Sequence, residues 1–191
     1  YNFKMEIEIK KSTKLVDYST AIKFLDKRVK DVINGKKPEL LWILEHKAIF
    51  TAGTNSRENE ILNKKIKVVK TSRGGKITYH GPGQIIVYFV LNLNRRQKDI
   101  RKLIRNIEKC IIITLKDFKI ESFNDHKNIG IWVNVNNEAK KVAAIGIRVK
   151  RWIAFHGFSI NISNNLEVYK NIVPCGIYNK EITNLCSIKK N

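Results

Sequence analysis

The sequence predicts a single α+β domain, with helices covering mixed or antiparallel sheets. Two segments repeat apolar residues at helical spacing, several others are β-branched or aromatic runs, and short turns join some of those runs. At 191 residues, 43% of them hydrophobic, the chain has the size of one domain with a substantial core. Residues 1–191 are therefore read as one domain.

Taken in order, Lys4, Glu6, Glu8 and Lys10 alternate with apolar residues and offer no signal-peptide core. Asp17 as N-cap, then Tyr18, Ala21, Leu25, Val29 and Ile33 at spacings of three and four, with Gly35 as the stop, predict the first helix. Leu40–Leu44, Lys67–Thr71 and Ile77–His80 read as strands, as does Gln84–Leu93. The short link Gly81-Pro82-Gly83 implies that the last two are antiparallel neighbours. A second helix opens near Asp99, with Ile100, Leu103, Ile104, Ile107, Ile111 and Phe118 on its stripe and Cys110 buried among them. That longer period outweighs the strand propensity of Ile111–Ile113. Ile129–Val135, Val142–Val149 and Ile153–Ile162 complete the strands. Asn134–Lys140 reads as a polar hairpin turn, and Lys150-Arg151-Trp152 as a tight link between antiparallel neighbours.

Lys+Arg number 37 against 17 Asp+Glu, a net charge of +20. The lysines are scattered from Lys4 to Lys190 beside abundant Ile and Asn, the composition an AT-rich coding sequence gives. No RNP-like aromatic motif or Cys/His finger accompanies them, so nucleic acid is not the expected partner. An acidic protein fits the same charge. The longest unbroken apolar run, Ile85 to Leu91, falls far short of the ~20 residues of a membrane span, so no membrane is expected either. Cys110, Cys175 and Cys186 lack zinc or redox spacing and read as free thiols of a reducing cytosol. No His, Cys or carboxylate pair has metal-ligand spacing, so no metal is expected. His46, His80 and His156 lie among apolar residues or glycines, His126 in a polar loop.

Three motifs offer chemistry. In Arg73-Gly74-Gly75-Lys76-Ile77-Thr78-Tyr79-His80-Gly81-Pro82-Gly83-Gln84, glycines beside a strand let backbone N–H groups approach a ligand, and Arg73, Lys76 and His80 add donors. Two tight turns around a short strand explain Gly81-Pro82-Gly83 but not Gly74-Gly75 beside Arg73. The segment lacks the endings of a Walker loop or a dinucleotide fingerprint. Pro174-Cys175-Gly176 places a thiol on an irregular, accessible turn, where a nucleophile needs a cation or base beside it. Lys140-Lys141-Val142-Ala143-Ala144-Ile145-Gly146 opens a strand with two lysines. Alternation sets Lys141 with Ala143, Ile145 and Ile147, the inward face if those residues are buried. Spacing by itself leaves both Lys140 and Lys141 as partners for a thiolate.

The first motif closely resembles the signature of the lipoyl(octanoyl) transferase family. The resemblance continues through Leu91-Asn92-Leu93, through Lys141-Val142-Ala143-Ala144-Ile145-Gly146-Ile147-Arg148, through Phe155-His156-Gly157-Phe158-Ser159-Ile160-Asn161 and through Pro174-Cys175-Gly176-Ile177. It runs in register from about residue 40 to 187. It implies the fold of the biotin/lipoyl protein ligases, Cys175 as the acyl-thioester nucleophile and Lys141 as its dyad partner. Arg73, Gly74, Gly75, Lys76, Ile77, Thr78, Tyr79 and His80, with Ala144, Ile145 and Gly146 and with Gly157, Phe158 and Ser159, line the substrate site by the same resemblance. Within Glu45–Gly53 the chain departs from the family, with Ala48 where members usually have proline.

The resemblance further implies an octanoyltransferase of the cytoplasm that needs no cofactor. Its donor is octanoyl-acyl carrier protein. Its acceptors are lysines of the lipoyl domains of 2-oxoacid dehydrogenase complexes and of the glycine cleavage H protein. Three readings compete. An ATP-dependent lipoate–protein ligase shares the fold but needs no cysteine, a thioesterase would hydrolyse the same donor at Cys175, and a basic nucleic-acid-binding domain would form no acyl-enzyme.

Overall fold

The computed structural model describes residues 6–125, 127–177 and 181–189; Lys4, His126 and Lys190, named above, lie outside them. The strands are β1 (Ile7–Lys11), β2 (Glu39–Leu44), β3 (Ile49–Ala52), β4 (Val68–Lys70), β5 (Ile77–His80), β6 (Gln84–Asn92), β7 (Phe123–Asn124), β8 (Ile131–Val135), β9 (Glu138–Lys150) and β10 (Ile153–Asn161). The helices are α1 (Tyr18–Ile33), α2 (Ile100–Asp117) and a single turn, α3 (Leu185–Ile188). One sheet runs β1-β2-β6-β10-β9-β8-β7, parallel only between β1 and β2; a smaller one runs β4-β3-β5, parallel between β3 and β4. The α+β class with mixed sheets is borne out. Among the described residues no helix is long and apolar enough to cross a membrane.

Each long helix starts where an aspartate supplies an acceptor for an orphan backbone donor. Asp17 Oδ2 accepts from Thr20 N at 3.2 Å, and Asp99 Oδ1 from Lys102 N at 2.9 Å. Helix α1 lays Ala21, Leu25, Val29 and Val32 against Leu40, Trp42, Ile86 and Val90 on one face of the large sheet. Helix α2 lays Ile107, Ile111 and Leu115 against Phe89, Ile131, Val133 and Ala154 on the other. A third cluster, Ile77 and Tyr79 with Tyr169 and Ile172, sits under the small sheet.

Four details differ from the sequence reading. Strands β5 and β6 are not paired: β5 joins β3, while β6 joins β2 and β10. Every residue of β5 is buried, Ile77 and Tyr79 on the third cluster and Thr78 and His80 on a cavity. The link bends the chain from one sheet into the other, with Gly83 at φ +81° and Gly83 N donating to Glu45 Oε2 at 2.8 Å. Cys110 is exposed, not buried. At ~100° per residue it falls beside the line of Ile107, Ile111 and Leu115 rather than on it. Phe118, 57% exposed, caps the helix end beyond the stripe. Finally, β1, β3 and β7 lie outside the strands expected from the sequence, and Ile49–Ala52, just after Ala48, forms the centre of the small sheet. The hairpins β8–β9 and β9–β10 are as expected, turning at Asn136-Asn137 and Arg151-Trp152, all four at positive φ.

Candidate active site

Cys175 sits in a single 3₁₀ turn, Pro174–Gly176, with φ 56° and ψ 14°. A non-glycine residue in this left-handed region carries roughly 1–2 kcal/mol of backbone cost and is held there by its surroundings. The next residue, Gly176, also has positive φ, and a Cβ there would lie 2.3 Å from Lys76 Nζ, so the Lys76 side chain crosses directly over the turn. Lys76 is itself anchored by Glu60, a buried carboxylate 2.9 Å away. The half-buried thiol opens onto a cavity of about 680 Å³. The two other free cysteines are exposed and line no part of that cavity.

Lys141 opens onto the same cavity, and a bulge puts it there. Pairing between β8 and β9 slips by one residue: Ile131 faces Ala143, but Trp132 faces Lys141. Cross-strand partners share a face, and a one-residue slip reverses facing. Ala143 therefore goes with Ile131 into the α2 core, while Lys141 lies on the side of Trp132, Ala144 and Gly146. Simple alternation places Lys141 with Ala143, Ile145 and Ile147; the slip overturns that. The Lys141 side chain is 3% exposed. Its Nζ donates to Ile129 O at 3.0 Å and stands 4.8 Å over the Trp132 ring. Lys140 turns away to Glu181, 2.5 Å distant.

Arg73 forms the third wall. Its Nη2 donates to Thr51 O and Oγ1 at 2.8 and 2.9 Å, its Nη1 to Gly74 O at 3.1 Å, and its buried Nε has no partner among the described residues. Burial lowers its pKa, opposed by the nearby phenol of Tyr18, the thiol of Cys175 and the phenol of Tyr88. A Cβ on Gly74 would lie 2.6 Å from Ile147 O, so only glycine lets this loop rest on β9.

Behind Arg73 lies a buried aromatic cluster of Tyr18, His46, His80, Tyr88 and His156. His80 is pushed down to about 3 and His156 to about 4, each first by burial and then by the Arg73 charge. Both are neutral near pH 7 and are weak proton acceptors. His80 Nδ1 donates to Gln84 Oε1 at 2.7 Å. His156, at φ +69°, stacks on its own neighbour Phe155 at 4.9 Å, which alternation would forbid, and its Nδ1 has no partner among the described residues.

Of the substrate residues expected from the resemblance, Arg73, Gly74, Gly75, Lys76, Thr78, His80, Ala144, Ile145, Gly146, Gly157, Phe158 and Ser159 line the cavity with Cys175 and Lys141. Ile77 and Tyr79 do not; strand alternation sends them into the third cluster. The cavity also takes Ile86, Tyr88, Ile100, Ile104, Ile129 and His156. Apart from His156, these sit in ordinary apolar runs whose sequence carries no sign of lining a site. Among the described residues, no three His, Cys, Asp or Glu side chains are grouped to hold a metal ion.

Comparison with known proteins adds the following. The lipoyl protein ligase A/B catalytic domain family matches residues 17–191. An octanoyltransferase of Anaplasma marginale is 45% identical over 181 residues, covering 94% of this chain and 85% of its own. One from the Wolbachia of Brugia malayi is 42% identical over 175 residues, covering 91% and 85%. Among solved structures, a bipartite lipoate protein ligase from Thermoplasma acidophilum superposes with a TM-score of 0.69 at 13% identity, covering 96% of this chain and 76% of the other. Lipoate-protein ligase A bound with ATP gives 0.62 at 12% identity, covering 96% of this chain and 81% of the other. At such identities these two structures speak to the fold alone.

Proposed function

The chain belongs to the lipoyl protein ligase A/B catalytic domain family, and on that premise we propose that it is an octanoyltransferase. It takes octanoate from octanoyl-acyl carrier protein and passes it to a lysine of a lipoyl domain, in the cytoplasm, within one catalytic domain. The observation that carries this reading is a free thiol in strained backbone opening, with a buried lysine, onto one cavity beside a glycine loop. The relatives named octanoyltransferase support the same reading. Lipoyl domains of 2-oxoacid dehydrogenase complexes and the glycine cleavage H protein are the acceptors.

In the first step the Cys175 thiol gives its proton to Lys141 and attacks the donor carbonyl. The C–S bond to the donor's phosphopantetheine breaks, and that sulfur leaves as a thiol with the proton. In the second step the lysine amine of the lipoyl domain attacks the Cys175 thioester, the C–S bond breaks, Lys141 removes the amine proton and the thiol is restored. Exchange between thioesters is nearly isoenergetic and aminolysis to an amide runs downhill, so no ATP is consumed. Splitting the transfer makes two easier steps. The unpartnered Arg73 Nε and the backbone donors of Gly74 and Gly75 suit the oxyanion that forms in each.

The test is transfer without ATP. With octanoyl-acyl carrier protein and a lipoyl domain, the domain gains one octanoyl amide, and adding ATP with free octanoate changes nothing. A requirement for ATP, or release of free octanoate in place of the amide, would replace this reading with ligation or hydrolysis.

A further inference from the structure

We propose that the tip of the β9–β10 hairpin and the entry to α2 form the docking surface for an acidic protein that carries the acyl group on a phosphate-bearing arm. The proposal rests on the acyl-transfer reading above and locates the donor on it. Two segments remote in sequence are joined here: Leu93 N donates to Trp152 O at 2.8 Å, Asn94 Nδ2 donates to Arg151 O at 3.2 Å, and Lys98 Nζ stands 5.8 Å over the Trp152 ring. The two-residue turn Arg151-Trp152, at φ +50° and +62°, holds a tryptophan 38% exposed. Lys98, Arg101, Lys150 and Arg151 are exposed around it. The acid of these segments, Asp99, is engaged, capping α2 and facing Arg105 at 3.9 Å. An aromatic anchor among cations fits an acidic surface, where the ring contributes affinity and the charges contribute steering.

The surface is continuous with the cavity. Ile100 and Val149, each adjacent in sequence to these residues, line it on this side, and Ile100 is 37% exposed. At the far side Ile86, Tyr88 and His156 are almost wholly buried and close it. An acyl chain has a free end and fills a closed pocket, whereas its carrying arm is tethered to a protein and leaves through the open side. Charge also sorts the two substrates. The donor arm brings a phosphate, which cations at the exit attract, while the acceptor brings a lysine amine, which they repel.

The experiment compares two donors, octanoyl-acyl carrier protein and free octanoyl-pantetheine, in the wild type, in the Lys98→Glu/Lys150→Glu double variant and in Trp152→Ala. The double variant should raise KM for the carrier-borne donor at least tenfold at low salt, and Trp152→Ala severalfold. Neither should alter KM for octanoyl-pantetheine or for the lipoyl domain by more than about twofold, which also reports that the variants are folded. Equal loss with both donors, or no change with either, overturns the docking surface. A KM rise confined to the lipoyl domain assigns the surface to the acceptor and overturns it as well. Absence of transfer from both donors in the wild type would instead defeat the octanoyltransferase reading itself.

Discussion

A cysteine at φ 56° and a lysine turned by a one-residue slip are local departures from regular structure, and both open onto the same cavity. The flanks of Cys175 were legible, since proline and glycine bracket a turn that neither helix nor strand accepts. The facing of Lys141 was not, because a bulge leaves no mark in the spacing of side chains. The choice of Lys141 over Lys140 rests on the resemblance; in the fold Lys140 pairs with Glu181 and Lys141 lines the cavity. Cys175→Ser should accordingly form no acyl-enzyme, while Cys110→Ser and Cys186→Ser form it normally. Lys141→Met should slow acylation by the ~10²–10⁴-fold typical of a lost general base, whereas Lys140→Met should change it little. Stopped-flow acylation rates check all five variants, and equal losses in the two lysine variants would reject the dyad. A glycine gives a second prediction at this scale. A Cβ on Gly157 would lie 1.9 Å from Val87 O, backbone of the neighbouring strand that cannot step aside. Gly157→Ala should therefore cost at least the ~1–3 kcal/mol of forced overpacking, read as a fall in urea midpoint.

Elements were recovered where their signals are local. The aspartate caps at Asp17 and Asp99 and the helical periods gave α1 and α2 within a residue or two. Strand β1 went unseen because Ile7 and Ile9 are exposed on a sheet edge, 43% and 66% accessible, so no buried face patterns it. The pairing of β5 went unseen because burial on both faces is a tertiary fact that a short turn does not encode. The buried histidines join these elements: His46 Nδ1 donates to Val16 O and its Nε2 accepts from Tyr88 on β6, while His80 on β5 and His156 on β10 complete the group. With His80 at about 3 and His156 at about 4 in the folded state, against ~6.5 when unfolded, the unfolded chain binds more protons in acid. Their contribution is fully present above pH ~6.5 and is lost as pH falls through the folded values. Unfolding free energy should thus drop by several kcal/mol between pH 7 and pH 4, roughly 1.4 kcal/mol for each pKa unit of difference. His156→Gln should flatten that slope in urea titrations; a slope unchanged in the variant would mean that His156 is not buried in its neutral form.

For the whole molecule, the +20 charge has two explanations with different consequences. If it is compositional drift, ionic strength matters little to turnover. If it recruits an acidic donor, KM for octanoyl-acyl carrier protein should rise steeply as the Debye length shrinks from ~10 Å at 0.1 M salt to ~3 Å at 1 M, with kcat little changed. Initial-rate measurements across that range decide between them, and a KM indifferent to salt favours drift. The cavity itself is assembled from parts far apart in sequence: a loop at Arg73, a bulged strand at Lys141, a strained histidine at 156 and a turn at Cys175. The motifs named the parts, but their convergence is a property of the fold.

The central claim is that these parts make an acyl-enzyme at one thiol. Intact-protein mass spectrometry after brief mixing with octanoyl-acyl carrier protein, followed by peptide mapping, tests it most directly. The account predicts a single octanoyl adduct, carried by the peptide containing Cys175, that disappears when a lipoyl domain is added and reappears there as an amide. No adduct, or an adduct on Cys110 or Cys186 that the lipoyl domain discharges, would contradict it.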